Sequence, residues 1–120
     1  MTLSPITKEW PVQRCRSDSE EIQRVLDILR GKWTIYILCE MRQGPVRLSH
    51  LKRAIPGASK KALTSSLRWL ERAELIVRRD MSKSVLHIEY ELMQHTREPL
   101  SHLLAYLANW SKLLNRGSTR

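Results

Sequence analysis

The stretch VRLSHLKRAIPGASKKALTSSLRWLERAELIVRRDMSK, residues 46–83, decides the fold. Its first part predicts a short helix over 47–55, with Leu48 and Leu51 on one side and Lys52 and Arg53 on another. Pro56-Gly57-Ala58 makes a tight connection, and Ser59 suits the N-cap position, where a side-chain oxygen accepts from a free amide. A second helix follows from Lys60 to about Ala73. Leu63, Leu67 and Leu70, spaced four and three, form its inward stripe, and Lys60, Lys61, Thr64, Ser65 and Arg68 lie on its other faces. The apolar period then drops from 3.6 to two, which predicts a strand from Leu75 to Arg78.

Working outward, Leu86, Ile88, Tyr90 and Leu92 alternate with His87, Glu89 and Glu91 in a second strand. Between the strands, residues 80–84 form a polar basic tip. A last helix runs from Met93 or Thr96 to Leu114, with Pro99 in its first turn, where a missing N–H breaks no bond. On the N-terminal side, Gly44-Pro45 is a turn and Val46-Arg47 a very short strand. A helix over 32–43 carries Trp33, Ile35, Tyr36, Ile37, Leu38 and Met41, apolar almost all round, which places it at the centre of the core and makes Cys39 inert. The first helix runs from the Ser17/Glu20 capping box to Arg30 and ends at Gly31 as a left-handed residue.

The chain has 120 residues, which suits one compact domain over 17–114, preceded by an arm over 1–16 and followed by a tail over 115–120. No apolar run is long enough to span a membrane and the arm over 1–16 lacks the continuous apolar stretch of a signal peptide, so the expected compartment is the cytoplasm and no membrane partner is expected. Net charge is +9, and residues 46–83 alone hold ten basic side chains against three acidic ones. Such a patch attracts a polyanion. Two cysteines make no disulfide framework and no zinc spacing. His95, Glu98 and His102 share a helical face but lack a further ligand, and with His50 and His87 they read as surface histidines, so no metal or other cofactor is expected. Neither a nucleophilic triad nor a phosphate loop is present, so the expectation is a protein that is not an enzyme.

The fold class is mainly α with a small β-hairpin wing: a winged helix-turn-helix. The major groove of double-stranded DNA admits one helix, whose polar and forked basic side chains read base edges. The Lys60 helix offers such a face, and the hairpin tip places Arg79 and Lys83 near an adjacent groove or phosphate chain. The expected DNA-binding residues are Arg47, Ser59, Lys60, Lys61, Thr64, Ser65, Arg68, Arg72, Arg78, Arg79 and Lys83. The last helix carries more apolar surface than one small domain covers, which predicts a homodimer built by the terminal helices through Ile22, Leu100, Leu103, Leu104, Leu107, Trp110 and Leu114. Two other classes stay open: a regulator with an effector pocket between the last helix and the wing, and a winged-helix module that binds protein instead of DNA. The basic face argues against the second.

Gly31-Lys32-Trp33, Ile37-Leu38, Gly44, Arg47, Leu51, Ile55-Pro56-Gly57, Ser59, Lys61, Leu63-Thr64, Leu67, Leu70, Leu75, Val77, Arg78, Glu89-Tyr90-Glu91-Leu92 and Trp110 resemble the HxlR family of winged-helix regulators. Met93 and Thr96 depart from the threonine and glycine common there, and the wing lacks the family's proline. The resemblance implies a dimeric repressor or activator without enzymatic chemistry. It also implies a sensing role for Cys15, which stands where the family usually carries a cysteine ahead of the first helix. Arg14, Arg16 and an adjacent helix N-terminus favour the reactive thiolate there; the plainer reading is a small residue packing the arm.

Overall fold

The computed structural model describes residues 12–117, with side chains over 18–115. Residues 1–11 of the expected arm over 1–16, and the end of the tail, lie outside the described residues. The chain forms two units, divided between Arg30 and Gly31.

The N-terminal unit contains helix α1 (Val12–Leu29). It begins five residues ahead of the expected Ser17 cap, so Cys15 lies within the helix and not before it. Gln13, Arg14 and Arg16 are good helix formers, and nothing in them stops the helix short of Val12. Ile22, Val25 and Leu26 make an exposed apolar stripe, and Glu21 and Arg24 pair at 2.8 Å on its polar side.

The second unit runs α2 (Thr34–Met41), α3 (Leu48–Ala54), α4 (Lys60–Arg72), β1 (Ile76–Asp80), β2 (Ile88–Leu92) and α5 (Gln94–Gly117). This is the expected winged helix-turn-helix, mostly helical with one antiparallel hairpin. Gly31 precedes α2 but has no positive φ, contrary to the expected left-handed cap. Glycine is needed for space: a Cβ there would stand 2.5 Å from Thr34 Oγ1. Nor is α2 buried all round. Thr34, Ile37, Leu38 and Met41 form one buried stripe, while Tyr36 is 59% exposed. Cys39 points outward and is exposed, which overturns its expected burial. The reason is that packing covers a single stripe of α2, so residues off that stripe stay in solvent however apolar they are.

The helix-turn-helix proper is α3, a turn over 55–59, and α4. Buried Ile55 and Ala58 close the turn, with the Ala58 amide donating to the Ile55 carbonyl at 3.0 Å. Ser59 Oγ accepts from the Ala62 amide at 3.0 Å, the cap read from the sequence. Leu63, Leu67 and Leu70 are buried as one stripe. Helix α4 ends at Glu74 with φ +64°, and the Glu74 and Leu75 amides donate back to the Glu71 and Leu70 carbonyls. That is a Schellman cap with glutamate where glycine is usual.

The hairpin register pairs Ile76 with Leu92, Arg78 with Tyr90 and Asp80 with Ile88. Both strands start later than expected: Leu75 precedes β1, and Leu86 stands in the loop before β2, 72% exposed. The loop is held by Asp80 Oδ1 accepting from the Ser82 amide at 2.9 Å and Ser82 Oγ accepting from the His87 amide at 2.8 Å. Val46 forms the expected short strand, exchanging both backbone bonds with Tyr90, at 2.9 and 2.8 Å.

Helix α5 begins at Gln94, so Pro99 falls in its second turn and not its first. There it forgoes the bond that its N–H would have made to the carbonyl of His95. Leu100 and Leu104 belong to the chain's own core, 6% exposed each, which removes them from the expected dimer surface. Periodicity shows a stripe but not which of its residues the same chain covers. Arg42 ties α2 to this helix, donating to Ser101 Oγ at 3.3 Å and to the Ser101 carbonyl at 3.4 Å. No helix of the described residues is long and apolar enough to cross a membrane.

Candidate nucleic-acid interface

Helix α4 separates its two roles by face. Opposite the leucine stripe stand Lys61, Ser65, Arg68 and Arg72, all exposed, with Thr64 half-buried at the flank. Ser59 is spent as the cap, and Lys60 opens the first turn. Among the described residues, none of the five ion pairs uses a cation of this helix. Four unpaired basic residues on a 13-residue helix leave strong positive potential on an outward, polar face.

The wing also has two faces, because side chains alternate along a strand. Arg78 shares the face of Tyr90 and Ile88. With Arg47, Lys52 and Lys60 it surrounds an open pocket of about 420 Å³ between α3, the start of α4 and the hairpin. Arg47 is the N-cap of α3, and its guanidinium donates to the Leu86 carbonyl at 3.4 Å, reaching the wing loop. Arg79 lies on the opposite face. Its Nε donates to Glu91 Oε1 at 2.9 Å, and Arg97 of α5 donates to Glu91 Oε2 at 3.0 Å. The Arg79 hydrogen bond, aided by the charges of Arg79 and Arg97, holds the Glu91 carboxyl below the ordinary glutamate range. Asp80 is likewise lowered, first by its bonds from Ser82. Of the expected wing contacts, Arg78 is thus brought beside the α3–α4 cations, Arg79 is neutralised away from them, and Lys83 is exposed in the loop.

Lys52 and Tyr90 were not among the expected site residues. Tyr90 was findable, since register sets it beside Arg78; Lys52 needed the third dimension. His50 and His87 pair with Glu40 at 2.9 Å and Glu89 at 2.8 Å. The side chain of Cys15 lies outside the described residues.

Residues 28–117 match the family model described as HxlR-like helix-turn-helix. The chain belongs to this family. It is a transcriptional regulator with a helix-turn-helix DNA-binding fold, as the HxlR resemblance implied. It is 36% identical over 89 residues to the HTH-type transcriptional regulator YtcD of Bacillus subtilis, covering 74% of this chain and 70% of that protein. A solved structure of ytcD superposes with a TM-score of 0.71 at 34% identity, over 76% of this chain and 92% of that one. The reduced form of the redox regulator HypR matches with a TM-score of 0.71 at 25% identity, over 77% and 90% of the two chains.

Within this HxlR-like frame, Trp33 acquires a structural role. A Cβ on Gly57 would stand 3.4 Å from the Trp33 indole, so the ring packs against the turn that orients α4. The Lys32 ammonium lies 5.0 Å from the centre of the same ring.

Proposed function

We propose that this HxlR-like chain is a homodimeric repressor that recognises a specific operator, with α4 in the major groove and the wing alongside. The observation that carries this reading is the outward face of α4: Lys61, Ser65, Arg68 and Arg72 are exposed, and none is tied to a carboxylate among the described residues. Arg47, Ser59, Lys60 and Thr64 flank that face, and Arg78 and Lys83 supply the wing's phosphate contacts. Arg79 serves the wing's own structure instead. Selection from a random DNA pool, followed by a mobility shift across a salt series, tests the proposal. A pseudo-palindrome with half-sites about 34 Å apart supports it. Binding without sequence preference overturns it.

Dimerisation rests on the exposed apolar residues Leu103, Leu107, Trp110 and Leu114 of α5, with Ile22 of α1. A redox input through Cys15 is favoured by the likeness to HypR. Diamide treatment with operator binding as readout tests it. Because Cys39 is exposed, the comparison needs Cys15→Ser and Cys39→Ser side by side. Loss of the response in Cys15→Ser alone supports the assignment.

A further inference from the structure

The pocket between α3, the start of α4 and the wing combines two chemistries that DNA alone does not require. Its rim holds Arg47, Lys52, Lys60 and Arg78, and its lining includes Leu48, Leu86, Ile88 and the Tyr90 ring. Among the described residues, no carboxylate lines it. A phosphate chain uses the cations but gains little from an apolar floor. A neutral apolar molecule uses the floor but leaves the cations unanswered. We propose that this pocket binds a small apolar carboxylate of one or two aromatic rings, and that the bound acid competes with DNA for the same cations.

The volume of about 420 Å³ lies within the range of small-molecule sites, roughly 300–1,000 Å³. The ring lies over Leu48, Ile88 and Tyr90, and the carboxylate accepts from the guanidinium and ammonium groups at the rim. Such charge-assisted bonds are about twice as strong as neutral ones. Arg47 bonds to the Leu86 carbonyl, so an acid that draws Arg47 inward also pulls on the wing loop. The site is distinct from the one expected between the last helix and the wing. There, Arg79, Glu91 and Arg97 already satisfy one another.

Acid binding is independent of the DNA reading; the competition rests on it, and the two are measured separately. First, 2-naphthoate is titrated into the whole chain while amide resonances of Leu86, Ile88 and Tyr90 are followed. Saturable shifts are expected, with 2-naphthalenemethanol and inorganic phosphate each weaker by at least about tenfold. Leu86→Gln and Lys52→Gln, both at exposed positions, should each weaken naphthoate binding with the thermal unfolding midpoint unchanged. Phosphate or the alcohol binding as well as naphthoate overturns the proposal, as does no saturation in the millimolar range. So does full binding by both variants. Second, naphthoate is added to a preformed DNA complex at constant ionic strength. Release by naphthoate but not by the alcohol supports competition; an acid that binds and leaves the DNA complex intact overturns it. A chain that binds naphthoate and no DNA refutes the interface reading while the pocket stands.

Discussion

Arg79 and Arg78 are sequence neighbours whose guanidinium groups serve opposite faces of the wing: Arg79 bonds Glu91 at 2.9 Å, while Arg78 faces the α3–α4 cleft beside Tyr90. The pair therefore separates under mutation. Arg78→Ala should flatten the slope of log affinity against log salt by about 0.9, the value of one phosphate contact. Arg79→Ala should leave the slope unchanged and cost at most about 1 kcal/mol of stability, as for a partly exposed ion pair. Salt-dependent mobility shifts and urea unfolding on the two variants check both statements.

Glu91 makes the stability of the wing depend on acid. Its folded pKa lies below the ordinary 4.5, so its contribution is present above that value and fades as pH falls through the lowered one. Asp80, lowered by Ser82, adds in the same direction. Thermal unfolding of the parent and of Arg79→Ala with Arg97→Ala should differ by a constant gap near neutrality. The gap should close as the carboxyl protonates. A gap that persists in acid would assign the stabilisation to packing instead of charge.

The two sides of α4 should fail in different ways. Arg68→Ala or Lys61→Ala should cost about 1–3 kcal/mol of operator binding wherever it removes a base contact, with unfolding unchanged. Leu67→Ala, in the fully packed stripe, should cost about 2–5 kcal/mol of folding stability. Urea unfolding beside operator titration separates the two classes.

Glu74 occupies the left-handed position that closes α4, with φ +64°. A side chain there costs about 1–2 kcal/mol that glycine avoids, although glycine also loses more entropy on folding. Glu74→Gly should therefore stabilise the chain by about 0.5–1 kcal/mol, read as a higher urea midpoint with an unchanged m value. DNA affinity should not fall, because Glu74 carries the wrong charge for a phosphate contact.

Helix α5 offers a test of assembly within one stripe. Leu107 and Trp110 are exposed, the latter by 52%, whereas Leu104 is buried in its own chain. Leu107→Asp with Trp110→Asp should yield a folded monomer in sedimentation, with operator affinity reduced. Leu104→Asp should unfold the chain. A parent that sediments as a monomer at micromolar concentration would remove the dimer from the proposal.

What the sequence disclosed was mostly local. The Ser59 cap, the Leu63–Leu67–Leu70 stripe, the Gly44 turn and the Val46 strand each depend on a few neighbouring residues, and each appears in the structure. What it hid depends on contacts between distant segments. Cys39 is exposed because packing covers a single stripe of α2, and Leu100 and Leu104 are buried because α5 packs part of its own stripe. Ser17 looked like a cap because serine and a glutamate three residues on suit one, yet nothing before it halts the helix. The polar side of α4 was legible in outline, but Thr64 is half-buried at its flank, Lys60 lines the pocket beside α3, and Arg72 completes the exposed face. The division of wing arginines was not, since it follows from the strand register and from Arg97 in the last helix.

The Val46–Tyr90 exchange has a consequence for colloidal behaviour. It occupies the side of β2 away from β1, so the open edge of this sheet is the outer side of β1. An open edge invites a strand from another molecule unless it is guarded. Here the guard is Arg78, Arg79 and Asp80 in succession, charged side chains over the last three of the strand's five residues. At the high local concentration of a crowded solution, edge-to-edge zippering would have to strip water from these charged side chains to seat a second strand. The charged end of β1 thus keeps its sheet from growing, including through Arg79 and Asp80, which have no part in the proposed DNA contact.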